Sequence, residues 1–310
     1  MTSLAASPLV RLVRLPSVIT VPGDVLAGAA WAPADPAGSA GAAAARGATA
    51  PVAAARVASS SLTYLAGMAL NDWADRQEDA VERPTRPIPA GEIGAGTALA
   101  VAVALSAGAL ALAAAGDRRG RGRGSLAITA PLLATVWAYD VKAKQTPTGP
   151  WTMALARALD VLVGARGPRR DALAPAGLIG AHTLLITLVS REEARGASRR
   201  LAAGALGGVA VTTVAATALV SRAHPRGARA SRGLRLASIA VYASVMSRAG
   251  IGALRDGDAA SAQRFVGAGV FANMPLQAAL LAARGRTLQA ATVLGAWQFG
   301  RGLGRRVAIT

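Results

Sequence analysis

Residues 50–79 read APVAAARVASSSLTYLAGMALNDWADRQED, an apolar run that ends abruptly in acid. Residues 50–70 have the length and character of a helix that crosses a bilayer core, which takes about 20 apolar residues. Just past it, Asp72, Asp75 and Asp79 fall at i, i+3 and i+7. At a helical pitch of 3.6 residues the three carboxylates share one face, with Asn71 on its border. Three carboxylates at the end of a membrane helix are costly unless positive charge neutralises them. Mg2+ suits such a group, because it takes hard oxygen ligands and bridges a few carboxylates to substrate phosphates. The plainer alternative is a solvated acidic helix end, with Asp79 and Arg83 paired at i, i+4.

The next stretch favours the metal reading. Glu82-Arg83-Pro84-Thr85-Arg86-Pro87-Ile88-Pro89-Ala90-Gly91 carries three prolines, which end a helix and stiffen the loop after it. Arg83 and Arg86 are thereby presented beside the acidic face, and guanidinium groups bind phosphate bidentately. Carboxylates, the cations they imply and two arginines together make a diphosphate site.

The rest of the 310-residue chain places this site in a membrane. Hydrophobic residues make up 53% and charged residues only 16%, against about 25% charged in a soluble domain. Nine candidate spans lie near residues 15–33, 50–70, 93–115, 125–140, 151–166, 172–190, 201–221, 234–254 and 264–283. The expected fold is therefore all-α, a multi-span transmembrane bundle of about nine helices in one domain over 1–310. Residues 287–310 are expected as an interfacial C-terminal segment. The net charge of +18 is nearly all arginine set between apolar runs, with 4% aromatics. That pattern fits anionic lipid headgroups and not nucleic acid. With no cysteine, thiolate metal sites and disulfides are excluded. A second charged connector, at 190–200, holds Glu192 and Glu193 among arginines. Its four-helix offset from the first suggests two related halves. Arginine and lysine are shared about equally between the two sides, so charge bias does not set the orientation.

Residues 71–79 and 86–91 resemble the UbiA-type family of intramembrane prenyltransferases, whose first acidic motif reads N-D-x-x-D-x-x-x-D and precedes an R-P-[LI]-P-[SA]-G turn. The resemblance extends over most of the chain. It implies a nine-helix bundle that moves a prenyl group from a Mg2+-bound prenyl diphosphate to an aromatic or other small or lipid acceptor. Asp72, Asp75 and Asp79 would hold Mg2+. Asn71, Arg83 and Arg86 would bind diphosphate. Arg14-Leu15-Pro16 is similar to the family's basic-proline entry to the first helix, which adds Arg14 as a phosphate contact, with snorkelling to headgroups as the alternative. Tyr139-Asp140-Val141-Lys142-Ala143-Lys144 resembles the family's Y-[DP]-x-x-x-[KR] segment. Lys144 is the better match for its basic residue and Lys142 the competitor, and an anchoring basic loop is the alternative.

The second acidic motif departs from the family pattern. The family has two or more aspartates at D-x-x-x-D spacing, and this chain has only Glu192 and Glu193. Neighbours on a helix point about 100° apart, so Glu192 alone is assigned to metal. The segments 139–150 and 190–192 most resemble the branch found in bacterial ebo gene clusters. The resemblance implies a bacterial cell membrane with the acidic connectors on the cytoplasmic side. Arg157 and Asp160, at i, i+3 in an apolar run, fit either mutual pairing or substrate contact. His182 reads as a packing hydrogen-bonder, His224 as solvated, and Trp73 and Tyr139 as interface aromatics. Four other readings compete: a catalytically degenerate member, a transporter or structural subunit, a soluble terpene synthase, and a CDP-alcohol phosphotransferase. The last wants glycine after the second aspartate, where Arg76 stands. The terpene synthase would lack the nine spans.

Overall fold

A computed structural model describes residues 7–33, 42–119, 124–166, 168–192, 196–223 and 229–304. Among these, every regular element is helical. The order is α1 (Pro8–Leu12), α2 (Pro22–Trp31), α3 (Ala42–Ala74), α4 (Arg76–Glu82), α5 (Ala95–Arg119), α6 (Leu126–Val141), α7 (Gly149–Gly164), α8 (Leu173–Ser190), α9 (Arg199–Arg222), α10 (Arg229–Asp256), α11 (Ala259–Ala283) and α12 (Thr287–Gly304). Among the described residues, five segments are long and apolar enough to cross a membrane: Ala95–Arg118, Arg169–Ser190, Arg199–Arg222, Arg229–Asp256 and Ala259–Ala283. Threonines within these helices donate to carbonyls four residues back, as Thr183 does to Ile179 and Thr212 to Gly208. That bond keeps a hydroxyl satisfied where no water is present.

The first expected span, 15–33, is not one helix. A 3-10 turn runs over Leu15–Thr20, and α2 begins only at Pro22. Pro16 and Pro22 each lack an amide donor and crowd the preceding turn. Arg14, just before them, takes a left-handed φ of 45°.

The chain divides into two compact units. The first joins residues up to Pro22 with 38–152, and so holds α1 and α3–α6. Here α3 lies along α5, with Ser59 Oγ donating to the Ala109 carbonyl at 2.8 Å. Asp117 of α5 caps α6 from outside, accepting from the amides of Ser125 (2.8 Å) and Leu126 (2.9 Å). A carboxylate at a helix N-terminus satisfies amides that have no partner within the helix. Leu12, Leu70, Ile93 and Ala98 form an apolar cluster, with Trp73, Ile88 and Trp137 packed on it. This cluster carries the loop that follows α4.

The second unit joins 23–37 with 153–308. Its centre is α11, buried from Ala272 to Ala283. Fully buried His182 of α8 links two neighbours, with Nδ1 3.1 Å from Tyr242 Oη of α10 and Nε2 3.0 Å from the Gly269 carbonyl of α11. Helices α2 and α7 meet backbone to backbone. A Cβ on Gly28 would lie 1.8 Å from the Val161 carbonyl oxygen, and one on Gly164 would lie 1.9 Å from that of Val25. Small residues that let helices touch are a main source of packing energy in lipid. Gly28→Val is expected to force this crossing apart, at the upper end of the ~1–3 kcal/mol that overpacking costs. Thermal loss of monodisperse protein in detergent measures it, and an unchanged midpoint would show that the crossing contributes little.

Candidate functional site

The acidic run lies where α3 ends and α4 begins. The helix bends at Asp75 (φ −85°, ψ 1°), yet helical spacing carries through. The Asp75 amide donates to the Asn71 carbonyl at 2.9 Å, and the Asp79 amide to the Asp75 carbonyl at 2.8 Å. Asp72 and Asp79 are buried at 3% and 1% exposure. Arg86 joins them: its Nη1 donates to Asp72 Oδ1 at 3.1 Å and to Asp79 Oδ2 at 2.7 Å. Asp75 turns elsewhere, to Lys144 Nζ. The single acidic face expected from the spacing is thus split. Two carboxylates share one guanidinium, and the third pairs with a lysine.

Further cations close around the pair. Arg14 Nη2 reaches Asp72 Oδ1 at 2.9 Å, and Arg83 Nη1 reaches Asp79 Oδ1 at 3.3 Å. The Arg83 contact is the i, i+4 pair of the plainer reading, and it coexists with the wider cluster. The left-handed backbone of Arg14, a conformation that costs about 1–2 kcal/mol for a residue with a Cβ, occurs where its side chain meets Asp72. The loop that aims Arg86 is tightly turned. The Ala90 amide donates to the Arg86 carbonyl at 2.9 Å, those of Glu92 and Ile93 to Pro87, and Gly91 takes φ 73°. Burial pushes the Asp72 carboxyl above the usual carboxylate range, and the positive charges of Arg14 and Arg86 oppose that shift.

Asn71 stands at 3.5 Å from Arg14 Nη2 through its oxygen, and its Nδ2 donates to Asp140 Oδ1 at 3.4 Å. Asp140 was not among the residues expected from sequence, although it is an acid closing an apolar run, and it is 6% exposed. Lys144 is half-buried on the 3-10 turn Ala143–Gln145, and Lys142 is exposed. Of the two lysines, Lys144 is therefore the one at the acids. Arg76 covers the Trp73 ring at 4.9 Å from its centroid, so the cation at that ring is the chain's own. Glu192, half-buried in the turn after α8, belongs to the second unit. Glu193 and His224 lie outside the described residues.

Among the described residues, no three acidic, histidine or cysteine side chains are gathered as a ready metal cage. The donor set nevertheless fits Mg2+. Asp72, Asp75, Asp79 and Asn71 offer hard oxygens, and Mg2+ is usually held by one or two carboxylates plus substrate phosphates, with no all-protein cage. Four basic side chains, Arg14, Arg83, Arg86 and Lys144, stand against these aspartates.

In the second unit, fully buried Asp24 of α2 accepts from Gln277 Nε2 at 2.8 Å and Asn273 Nδ2 at 3.3 Å, and pairs with Arg157 Nη2 at 2.7 Å. Asp160 hydrogen-bonds Asp24 as well. Arg157 is thus the cation of a buried acidic pair that includes a residue far away in sequence.

A model of the UbiA prenyltransferase family matches residues 30–246. The chain is similar in fold to a structure from work on digeranylgeranylglyceryl phosphate synthase in membranes, with a TM-score of 0.58 and 15% identity over 91% of this chain and 98% of that one. It is also similar to a UbiA homologue from Archaeoglobus fulgidus bound to GPP and Mg2+, with a TM-score of 0.50 and 14% identity over 85% and 98% of the two chains. No curated protein sequence matches the chain.

Proposed function

Because the chain belongs to the UbiA prenyltransferase family and carries membrane-length apolar helices, we propose that it transfers a prenyl group from a prenyl diphosphate to an acceptor within the bilayer. One observation supports this reading above the others: Arg86 clasps two buried carboxylates, with Arg14 and Arg83 against the same pair. Guanidiniums held among carboxylates can turn to phosphate oxygens once a divalent cation takes over the carboxylates. In this assignment Asp72, Asp75 and Asp79 hold Mg2+, which when bound would neutralise charge on the leaving diphosphate. Arg14, Arg83, Arg86 and Lys144 bind the diphosphate oxygens. Asn71 orients Arg14 and, through Asp140, the end of α6.

The bond between the allylic carbon and oxygen breaks, and its electron pair leaves with the diphosphate. The acceptor's nucleophilic atom forms the new bond to that carbon and gives up a proton. The allylic fragment carries positive character as it transfers, so water must be kept from it. The apolar helices and the lipid around them supply that exclusion.

Purified protein in detergent, incubated with labelled prenyl diphosphate and a lipid extract, tests this. Label should move to lipid-soluble product with Mg2+ and stop with EDTA. Mg2+-assisted binding of the diphosphate without product would identify a member that binds and does not turn over. Absence of both binding and transfer would refute the assignment.

A further inference from the structure

Gly67 precedes Asn71 by one turn of α3, and Val136 precedes Asp140 by one turn of α6. Residues four apart lie on one face of a helix, so the two helices meet in two rungs. At the first, a Cβ on Gly67 would come 2.9 Å from Val136 Cγ1 and 3.7 Å from Asp140 Oδ2. The missing side chain lets α6 approach α3. At the second, Asn71 Nδ2 donates to Asp140 Oδ1 at 3.4 Å. The end of α6 is tied to α5 as well. Trp137 Nε1 donates to Ser106 Oγ at 3.1 Å, and its ring packs on the cluster around Leu70. Packing thus delivers Asp140 to Asn71.

Asp140 is 6% exposed, and a buried carboxylate is costly unless it is paired. Lys144 acts on Asp140 through its charge, yet its contact is with Asp75. The hydrogen bond to Asp140 comes from the neutral amide of Asn71. What the carboxylate does to that amide supplies a reason for the arrangement.

An asparagine amide has two ends of nearly the same shape, one accepting and one donating. Shape does not decide which end faces the site. An ionised aspartate only accepts, so it takes the NH2 end and turns the oxygen the other way. Asn71 Oδ1 accordingly faces Arg14 Nη2 at 3.5 Å, the same nitrogen that reaches Asp72. With the amide reversed, its oxygen would meet the Asp140 carboxylate and its NH2 group would meet positive charge.

We propose that Asp140 is a positioning residue, which fixes Asn71 with its oxygen toward the cation side of the site. Asn71 can then offer Mg2+ a hard oxygen and cannot turn its NH2 group there. The role rests on the proposed Mg2+ and diphosphate site, and adds to it a residue outside both the acidic run and the arginine turn.

Calorimetric titration of inorganic pyrophosphate into the full chain in detergent, with and without Mg2+, tests the role. Asp140→Asn keeps the side-chain shape and adds a donor, which frees the Asn71 amide to turn. It should weaken Mg2+-dependent pyrophosphate affinity by about ten- to a hundredfold, the usual effect of losing a group that orients a metal ligand, and melt as the unaltered chain does. A double-variant cycle separates action through Asn71 from action by charge alone. In an Asn71→Ala background, Asp140→Asn should change affinity by less than about twofold. Exchanging the groups, Asn71→Asp with Asp140→Asn, keeps an amide on a carboxylate and an oxygen toward the site, and should restore most of the affinity. Should a single variant unfold, the exchanged pair decides: affinity still about tenfold or more below that of the unaltered chain would overturn the role. So would unchanged affinity in Asp140→Asn, or an equal loss in the Asn71→Ala background, and either would leave the Mg2+ and diphosphate site standing. An unaltered chain with no Mg2+-dependent pyrophosphate affinity would overturn both.

Discussion

Asp72→Asn is expected to cut prenyl transfer by about a hundred- to a thousandfold, the usual effect of removing one preorganised charged group from a reacting centre. The change keeps the shape and removes the charge. Asp72 is the carboxylate on which Arg14 and Arg86 converge, at 2.9 and 3.1 Å, so the loss acts on both the proposed cation site and the arginines. Asp79→Asn should behave alike, because its Oδ2 shares Arg86 at 2.7 Å. Asp75 pairs with Lys144 outside that clasp, and Asp75→Asn should have the smaller effect of the three on affinity for diphosphate alone. The discriminating measurement is Mg2+-dependent diphosphate affinity by calorimetry alongside turnover. If Asp72→Asn melts as the unaltered chain does and still transfers at its rate, the acids at α3 and α4 are structural and the reading fails.

The residues that sequence identified, and those it did not, differ for a physical reason. Asp72, Asp75 and Asp79 are neighbours along one stretch, so helical spacing alone brings them together. Arg83 and Arg86 follow within a proline-stiffened turn, which fixes them close by. Lys144 and Arg14 came only through resemblance, because nothing local in the sequence says which distant basic residue meets which acid. The split of the acidic face arises at the bend at Asp75, and an i, i+3, i+7 count cannot register a bend. The first span failed as a continuous helix because hydropathy weighs Pro16 and Pro22 as ordinary apolar residues and ignores their missing amides. Asp24 stands inside that same run. A lone acid in an apolar segment is a signal by itself. Its partners on α7 and α11 lie more than a hundred residues away, and only the fold identifies them.

Those partners carry the second large expectation. Arg157→Met should destabilise the protein by about 3–5 kcal/mol, the cost of stripping one partner from a buried ion pair. Asp24 is fully buried, and Asp160 beside it is 5% exposed. Without the guanidinium, two carboxyls remain in an apolar bundle with Gln277 and Asn273 as their neutral donors. The cost comes from uncompensated charge and not from lost contacts, so a second change that removes charge should restore stability. Arg157→Met with Asp24→Asn is accordingly expected to recover most of the loss, because an amide keeps the hydrogen-bonding shape of Asp24 and adds no charge. A double variant that melts no higher than the single one would show that Arg157 contributes by packing its long side chain. Thermal unfolding of the unaltered chain, the single variant and the double variant in one detergent separates the two accounts. Turnover of the rescued double variant then tests whether the buried pair does anything beyond holding α2 to α7 and α11.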